Sequence, residues 1–447
     1  MRLRKVLIAN RGEIALRIVR ACADEDVRSV VATSEVDWDS LPARLADERV
    51  CIGPAAAAKS YLSVGSVMSA AIATGCDAIH PGYGFLSERP ELPEACDRLG
   101  LRFVGPSAEA IRRGGDKVIA REIARAAGVP VGGDAQALED SSAAATRAQE
   151  LGYPLLIKAA AGGGGRGMVL VRDPDELRSS FDRASGEAQA AFGDGRVYLE
   201  RYLDDARHVE VQILADAHGG VVALGDRDCS CQRRYQKVVE EAPAASVGDE
   251  THARLAESAR SLARALDYVG AGTVEFLVDR STQDIVFLEM NTRVQVEHPV
   301  TEAVTGVDIV REQLRIAAGE RLSIGQEAVS IDGHAIECRL NAEDPARGFA
   351  PDPGTVQEWI LPQGDGIRVD THIQVGSRIP PHYDSLLAKL IVHGPDRASA
   401  IERTERALQH LRVGGIITNA ELLRSIVRHP DFRADRINTR WLEQELT

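Results

Sequence analysis

The sequence predicts a soluble multidomain protein of mixed α/β and α+β class: an N-terminal parallel-sheet domain, a central unit organised around one hairpin, and a C-terminal α/β domain. Three observations predict it. From Lys5 to Val104, short apolar strands alternate with helical segments, as in a parallel sheet covered on both faces. The stretch GTVEFLVDRSTQDIVFLEMNTRVQVEHP, from Gly272 to Pro299, carries two runs of period-two apolarity around the polar Arg280 to Gln283. A chain of 447 residues, 44% of them hydrophobic, is long enough for two or three cores.

Composition excludes several classes. A net charge of −14 argues against nucleic acid or an anionic membrane as the main partner, while leaving room for a local basic pocket. The seven cysteines are scattered without a C-x-x-C pair, so neither a disulfide framework nor a zinc site is expected; Cys229 and Cys231 read as strand residues. In MRLRKVLIANRGE the apolar run ends at Arg11 and Glu13, too early for a signal peptide or a membrane span. The expected setting is the cytoplasm.

In order, Lys5 to Ala9 reads as a buried strand and Asn10 to Glu13 opens a helix. Strands Ser29–Thr33, Val50–Ile52, Ala78–His80 and Arg102–Val104 follow, with a helix from Val64 to Thr74. The turn at Asn10 lacks G-x-G-x-x-G, so the domain is Rossmann-like without a dinucleotide signature. His80 to Glu88, HPGYGFLSE, is a glycine-rich loop at the end of a strand, where open α/β sheets meet ligand.

A helix from Asp116 to Ala127 stops at Gly128–Pro130. Beyond it are helix Ser141–Glu150, strand Tyr153–Ala160, the loop Gly162–Gly167, strand Met168–Val171, helix Pro174–Phe192 and strand Val197–Tyr202. The glycine loop has no Walker lysine; it is either a flexible hairpin tip or a set of exposed N–H groups that close over phosphates. Strand Arg207–Gln212 precedes DRDCSCQRRYQK, whose Arg233, Arg234 and Lys237 in an acidic chain suggest an anion site. Helix Glu250–Leu266 leads into the hairpin, and Val304 to Ala318 reads as one helix stopped by Gly319. Strands His334–Leu340, Val356–Ile360, Ile367–Asp370 and Leu386–His393 and helix Ala398–Arg412 complete the chain.

The hairpin carries the chemistry. Pairing Asp279 with Ile285 puts Glu275 opposite Glu289 and Thr273 opposite Asn291, on one face. Facing carboxylates repel unless a hard cation sits between them, so Glu275, Glu289 and Asn291 read as magnesium ligands; the alternative is a hairpin with an ordinary solvent-facing side. Arg293, Gln295, Glu297 and His298 follow, alternating with Val294 and Val296, a row suited to an anion.

These residues carry a resemblance. ANRGEIA, HPGYGFLSE, GDK at 115–117, IKAAAGGGGRGM, RHVEVQ, RDCSCQRRYQKVVEEAP, EMNTRVQVEHPVTE and ECRLNAED together resemble the biotin carboxylase family of the ATP-grasp fold along nearly the whole chain. The resemblance implies a Rossmann-like domain at 1–114, an ATP-grasp domain at 115–325 with a mobile lid at about 131–204, and a C-terminal domain at 326–447. It implies a ligase that uses ATP, magnesium or manganese, and bicarbonate to carboxylate biotin, as in acetyl-CoA carboxylase and fatty acid biosynthesis. Carried over by position, Lys117, Lys158, Gly164, Gly165, Glu200, Arg201, Tyr202, Leu203, His208, Gln232, Tyr235 and Lys237 would contact ATP. Lys237, Arg293, Gln295, Val296 and Glu297 would hold bicarbonate, with Glu297 as general base oriented by Arg293; Tyr83 and Arg339 would form the biotin end. The catalytic set that the resemblance implies is Lys237, Arg293, Glu297 and Arg339.

The chain departs from the family at Tyr235, often histidine, and at Ala161, often a fifth glycine. Tyrosine cannot carry positive charge at neutral pH. No Met-Lys-Met occurs, so biotin is expected on a separate biotin carboxyl carrier protein, with carboxyltransferase subunits on other chains. The family implies a homodimer. Two rivals stay open: an ATP-grasp ligase with another acceptor, and a silent ATP-binding subunit.

Overall fold

The structure, a computed structural model, describes residues 2–133, 137–138, 140–160 and 168–445. Strands β1 (Lys5–Ile8), β2 (Arg28–Ser34), β3 (Glu48–Gly53), β4 (Ala78–His80) and β5 (Arg102–Phe103) form a parallel sheet in the order β3-β2-β1-β4-β5. Val6, Leu7 and Ile8 are all fully buried, because helices cover both faces. Helix Gly12–Asp24 starts where Asn10 to Glu13 predicted.

Strands β6 (Leu155–Ala159), β7 (Met168–Val171) and β8 (Val197–Arg201) make a separate antiparallel sheet, ordered β7-β6-β8. Helices Ser141–Leu151 and Pro174–Phe192 cover it with a core of their own around Ala148, Leu155, Ile157 and Leu177. Helix Pro174–Phe192 is well bounded: Pro174 lies in its first turn, Asp173 accepts from the Asp175 and Glu176 amides, and Gly193 ends it at φ 74°. The glycine loop, with Ala161, Gly164 and Gly165, lies outside the described residues.

The third sheet is the largest. It contains β9 (Ala206–Ala215), β10 (Val221–Arg233), β11 (Gln236–Ala242), β12 (Gly270–Asp279), β13 (Ile285–Asn291), β14 (His334–Asn341), β15 (Ile367–Thr371) and β16 (Leu386–Gly394). The order is β13-β12-β9-β10-β11-β14-β16-β15, antiparallel throughout. The C-terminal strands thus extend the central sheet, and the hydrogen-bonded ladder runs unbroken from residue 206 to residue 394.

The hairpin register needs one correction. Thr273 faces Asn291 and Glu275 faces Glu289, but nearer the turn it is Val278, not Asp279, that pairs with Ile285. A bulge between Glu275 and Phe276 absorbs the one-residue difference. The polar face is not solvent-facing either, since Thr273, Glu275 and Asn291 are all buried.

Two further expectations change. The single helix from Val304 to Ala318 is two, His298–Thr305 and Ile309–Ala317. Gly306 terminates the first at φ 70°, and the Asp308 side chain caps the second on the Arg311 amide. Val356–Ile360 is also split: Gly354–Thr355 pairs with Arg378–Ile379, and Glu358–Ile360 with Arg412–Gly414. Helices Ala420–Arg428, Pro430–Arg433 and Trp441–Glu445 were not anticipated. Among the described residues no helix is long and apolar enough to cross a membrane.

Candidate active site

Period-two geometry sorts the side chains of the large sheet. On β9, Val209, Val211 and Ile213 enter an apolar core with Val274 and Phe276 of β12, which leaves His208, Glu210 and Gln212 on the other face with Thr273 and Glu275. Glu275 is registered opposite Glu289 on one side and Glu210 on the other, so three carboxylates lie in a row across three strands. Such a row is stable only if cations enter it.

Lys237 enters it. Its Nζ donates to Glu210, to Glu275 Oε1 at 3.1 Å and to Glu297 Oε1 at 2.6 Å. Burial by itself would lower the Lys237 pKa, but the facing carboxylates outweigh it and push it well up. Glu275 also meets His208 Nε2 at 2.9 Å and accepts from Asn291 Nδ2 and Gln295 Nε2, each at 2.9 Å. Burial would raise its pKa; Lys237 and His208 carry it well below the carboxylate range. Behind the row, Arg227 is fully buried and pairs with Glu210 at 2.6 Å, reaching Gln212, Thr301 and Gln295 as well.

Glu297 sits between two cations. Lys237 holds Oε1, and Arg339 Nη2 lies 2.9 Å from Oε2. Burial would raise its pKa, but Lys237, Arg339 and Arg227 drive it far down, so the carboxylate is ionised. The expected partner Arg293 does not hold it: Arg293 pairs with Glu88 at 3.0 Å and donates to Asn291 Oδ1 at 3.0 Å. Arg293 therefore braces the amide of the hairpin and the HPGYGFLSE loop, since Glu88 belongs to that loop and Asn291 to β13.

The loop from Val294 to Glu297 is fixed from below by Lys389, whose Nζ donates to the Val296 carbonyl at 2.8 Å and pairs with Glu13 at 3.1 Å. Tyr83 Oη donates to the same Glu13. Gly82 makes this possible: at φ 62° it lies so close to Asn10 that a Cβ would come within 2.8 Å of Asn10 Nδ2, which itself donates to the Pro81 and Tyr83 carbonyls.

These groups open into one cavity of about 1060 Å³. Tyr83, Lys117, Lys158, Tyr202, Leu203, His208, Gln232, Tyr235, Lys237, Glu275, Glu289, Asn291, Arg293, Gln295, Val296, Glu297 and Arg339 all line it. Apolar Leu156, Met168, Leu277 and Leu288 line it too, together with Lys117 and Lys158, and Lys158 is registered opposite Met168. Glu200 and Arg201 are placed differently: Glu200 is buried behind the wall, paired with Arg121 and Lys158, and Arg201 is exposed at the end of β8. Tyr235 occupies the β10–β11 turn at φ 65°, 57% exposed, and burial raises its pKa, so it is neutral there. All three cations expected to form an anion site line the cavity, but only Lys237 reaches the carboxylate row; Arg233 stacks 3.8 Å over Phe349, and Arg234 lies in the turn at φ 46°.

The donor set suits a hard divalent cation. Two carboxylates and an amide oxygen face the cavity from paired strands, and the ligand atoms of His208, Glu210 and Glu275 lie within 4.8 Å of one another. Amines now balance this charge, Lys117 at 2.8 Å from Glu289 and Lys237 at Glu275. An ion bound to the carboxylates would release both amines toward the cavity.

Sequence reasoning missed Glu210, Arg227, Glu88, Glu13, Glu240 and Lys389 as individual residues. All but Lys389 lie inside the motifs quoted above, and the signal at Glu210 and Glu240 is a charge beside the apolar residues of a strand, Val209 and Val211 in one case and Val238 and Val239 in the other. Glu13 and Lys389 are 376 positions apart by number and meet only through the fold.

Apolar residues beside two lysines, a carboxylate row that fits a divalent ion, and a separate small sheet that contributes Leu156, Lys158, Met168 and Tyr198 to the same cavity are the arrangement of an ATP-grasp enzyme. The comparisons specify which. Residues 116–325 match the Carbamoyl-phosphate synthase L chain ATP binding domain, residues 2–111 the Biotin carboxylase N-terminal domain and residues 337–444 the Biotin carboxylase C-terminal domain. Biotin carboxylase of Pseudomonas aeruginosa is 52% identical over 446 residues, 99% of each chain. The biotin carboxylase–βγ-ATP complex from Campylobacter jejuni superposes with a TM-score of 0.96 at 43% identity, over 99% of each chain. The biotin carboxylase domain dimer of Hydrogenobacter thermophilus 2-oxoglutarate carboxylase, solved with MgADP, ADP and bicarbonate, gives 0.95 at 43%, over 100% of this chain and 98% of that one. The chain belongs to the biotin carboxylase family, as a ligase of the ATP-grasp fold.

Proposed function

We propose that this protein carboxylates biotin, held on a separate carrier protein, at the expense of ATP and bicarbonate, as the first half-reaction of a biotin-dependent carboxylase. The observation that carries the reading is the convergence of Lys237 and Arg339 on Glu297 in the cavity wall. Two cations and one ionised carboxylate at a single point suit a small anion that must lose a proton while it is phosphorylated.

In this reading the nucleotide lies against Leu277 and Leu288, with Lys117, Lys158 and His208 at its phosphates. Glu275, Glu289 and Asn291 would hold magnesium or manganese, which would supply Lewis-acid charge at the phosphates. Bicarbonate sits on Lys237, Arg293, Gln295 and the Val296 backbone. Its oxygen attacks the γ-phosphorus, the bond to the β-phosphate oxygen breaks, ADP leaves, and Glu297 takes the bicarbonate proton to give carboxyphosphate. Ligand-free, Glu297 is too strongly neutralised to be a good base. An anion that shares Lys237 and Arg339 withdraws that bias and raises its pKa toward the working range.

Carboxyphosphate then yields carbon dioxide and phosphate; the phosphate removes the biotin N1′ proton, and the nitrogen attacks carbon dioxide. Arg339 offers N–H groups to the ureido oxygen as negative charge develops. Gly164 and Gly165 would close over the phosphates, and exclusion of water protects the acyl phosphate. The partners in this reading are a biotin carboxyl carrier protein, carboxyltransferase subunits and a second copy of the chain, and the setting is the cytoplasm. The test is bicarbonate-dependent ADP release from the purified protein with and without free biotin. Stimulation by biotin is expected; nucleotide binding without it would overturn the reading.

A further inference from the structure

Arg339 has a second anionic partner that the reaction above does not use. Glu240 Oε1 lies 2.6 Å from Arg339 Nε and 2.5 Å from Nη2, so one carboxylate oxygen grips the inner edge of the guanidinium while Glu297 touches its side. Nη1 makes no hydrogen bond among the described residues, and Arg339 lines the cavity. Glu240 itself is fully buried on β11. It is registered opposite Glu337 of β14, which is two positions before Arg339 on the same face. Neither Glu337 oxygen has a hydrogen-bond partner, and Glu240 Oε2 has none.

We propose that Glu240, backed by Glu337, is a positioning residue for the carboxyl-transfer step, keeping Arg339 aimed at biotin when Glu297 lets it go. The need for it follows from the proton count. Once Glu297 takes the bicarbonate proton it is neutral and loses most of its hold on Arg339, at the moment when Arg339 must face the forming enolate-like oxygen. A long side chain freed on one side would lose its aim, whereas Glu240 holds it from behind at an edge the substrate does not need. Glu337 completes the device. Of these two facing carboxylates only Glu240 has a cation bonded to it, twice through the guanidinium, so Glu240 is the ionised member and Glu337, with no hydrogen-bond partner on either oxygen, keeps its proton. Burial raises the pKa of both, with that of Glu337 well above the carboxylate range. Arg339 therefore meets one anion at its back and stays cationic toward the cavity.

This inference rests on the biotin carboxylase reading, and its test separates the two. Glu240→Gln keeps an acceptor oxygen and removes the charge. Its biotin-dependent rate is expected to fall at least about tenfold more than its bicarbonate-dependent ADP release without biotin, with Glu240→Asp recovering part of the loss. In an Arg339→Ala background the same change should add little, because Glu240 acts through that arginine. If Glu240→Gln does not fold, Glu240→Asp carries the same two comparisons. Equal loss of both rates, or full additivity with Arg339→Ala, overturns the positioning role. A wild-type protein with no biotin-stimulated turnover overturns the underlying reading instead.

Discussion

Lys237 Nζ lies 2.6 Å from Glu297 Oε1 while also meeting Glu210 and Glu275, so one ammonium joins the expected base to the expected metal ligand. In the proposed reaction, ion binding and base strength are thereby coupled. Charge added at Glu275 weakens the claim of that carboxylate on Lys237 and alters what Glu297 feels.

Glu297→Gln retains the shape of the side chain but accepts no proton. Steady-state assays should show biotin-dependent turnover reduced by about two orders of magnitude or more, with ATP affinity little changed. Undiminished bicarbonate-dependent ATP cleavage would remove Glu297 from the base role.

Lys237→Met strands Glu210, Glu275 and Glu297 without their shared cation. Breaking a buried pair typically costs about 3–5 kcal/mol. Thermal unfolding should occur at a clearly lower Tm than in the wild type, and turnover should vanish. An unchanged Tm would mean that the carboxylates find other counter-charges.

Glu289→Gln should raise the magnesium concentration needed for half-maximal activity by about tenfold or more, and chelation should abolish ATP cleavage in the wild type until magnesium or manganese is restored. Titration of activity against free metal reads this directly. Equal metal requirements in variant and wild type would exclude Glu289 as a ligand.

Glu337 gives a pH signature. Burial raises its pKa, opposed by Lys389 and Arg339 and reinforced by Glu240 and Glu297, so the folded chain holds a proton that the unfolded chain releases above the ordinary glutamate range. Stability must then decline as pH rises from that range toward the raised folded value. Glu337→Gln, always neutral, lacks this penalty, so its Tm should fall less than that of the wild type between pH 6 and pH 9. Parallel melting curves would show that Glu337 is already ionised in the fold.

Much of this was legible in the chain because the signals are local. The Thr273–Asn291 and Glu275–Glu289 pairings follow from period-two runs about a turn, and strand β4 and helix Pro174–Phe192 have the bounds their flanking residues imply. The turn-proximal register did not follow, because a bulge leaves no compositional mark. Nor did the break at Gly306, where the apolar period resumes after one residue at positive φ. Joining of the C-terminal strands to the central sheet depends on the β11–β14 ladder, between segments with helices and a hairpin between them. The site divides in the same way. Glu275 and Asn291 belong to one hairpin and could be placed, whereas the partners of Glu297 come from β11 and β14, and the expected Arg293 turns instead to Glu88.

The Lys389 bridge has a mechanical consequence. One ammonium carries both the Val296 carbonyl and Glu13, and Glu13 in turn receives the phenol of Tyr83. Tyr83 on one side of the cavity and the backbone next to Glu297 thus hang from a single peg, so a guest that displaces the tyrosine tugs on the loop that carries Glu297.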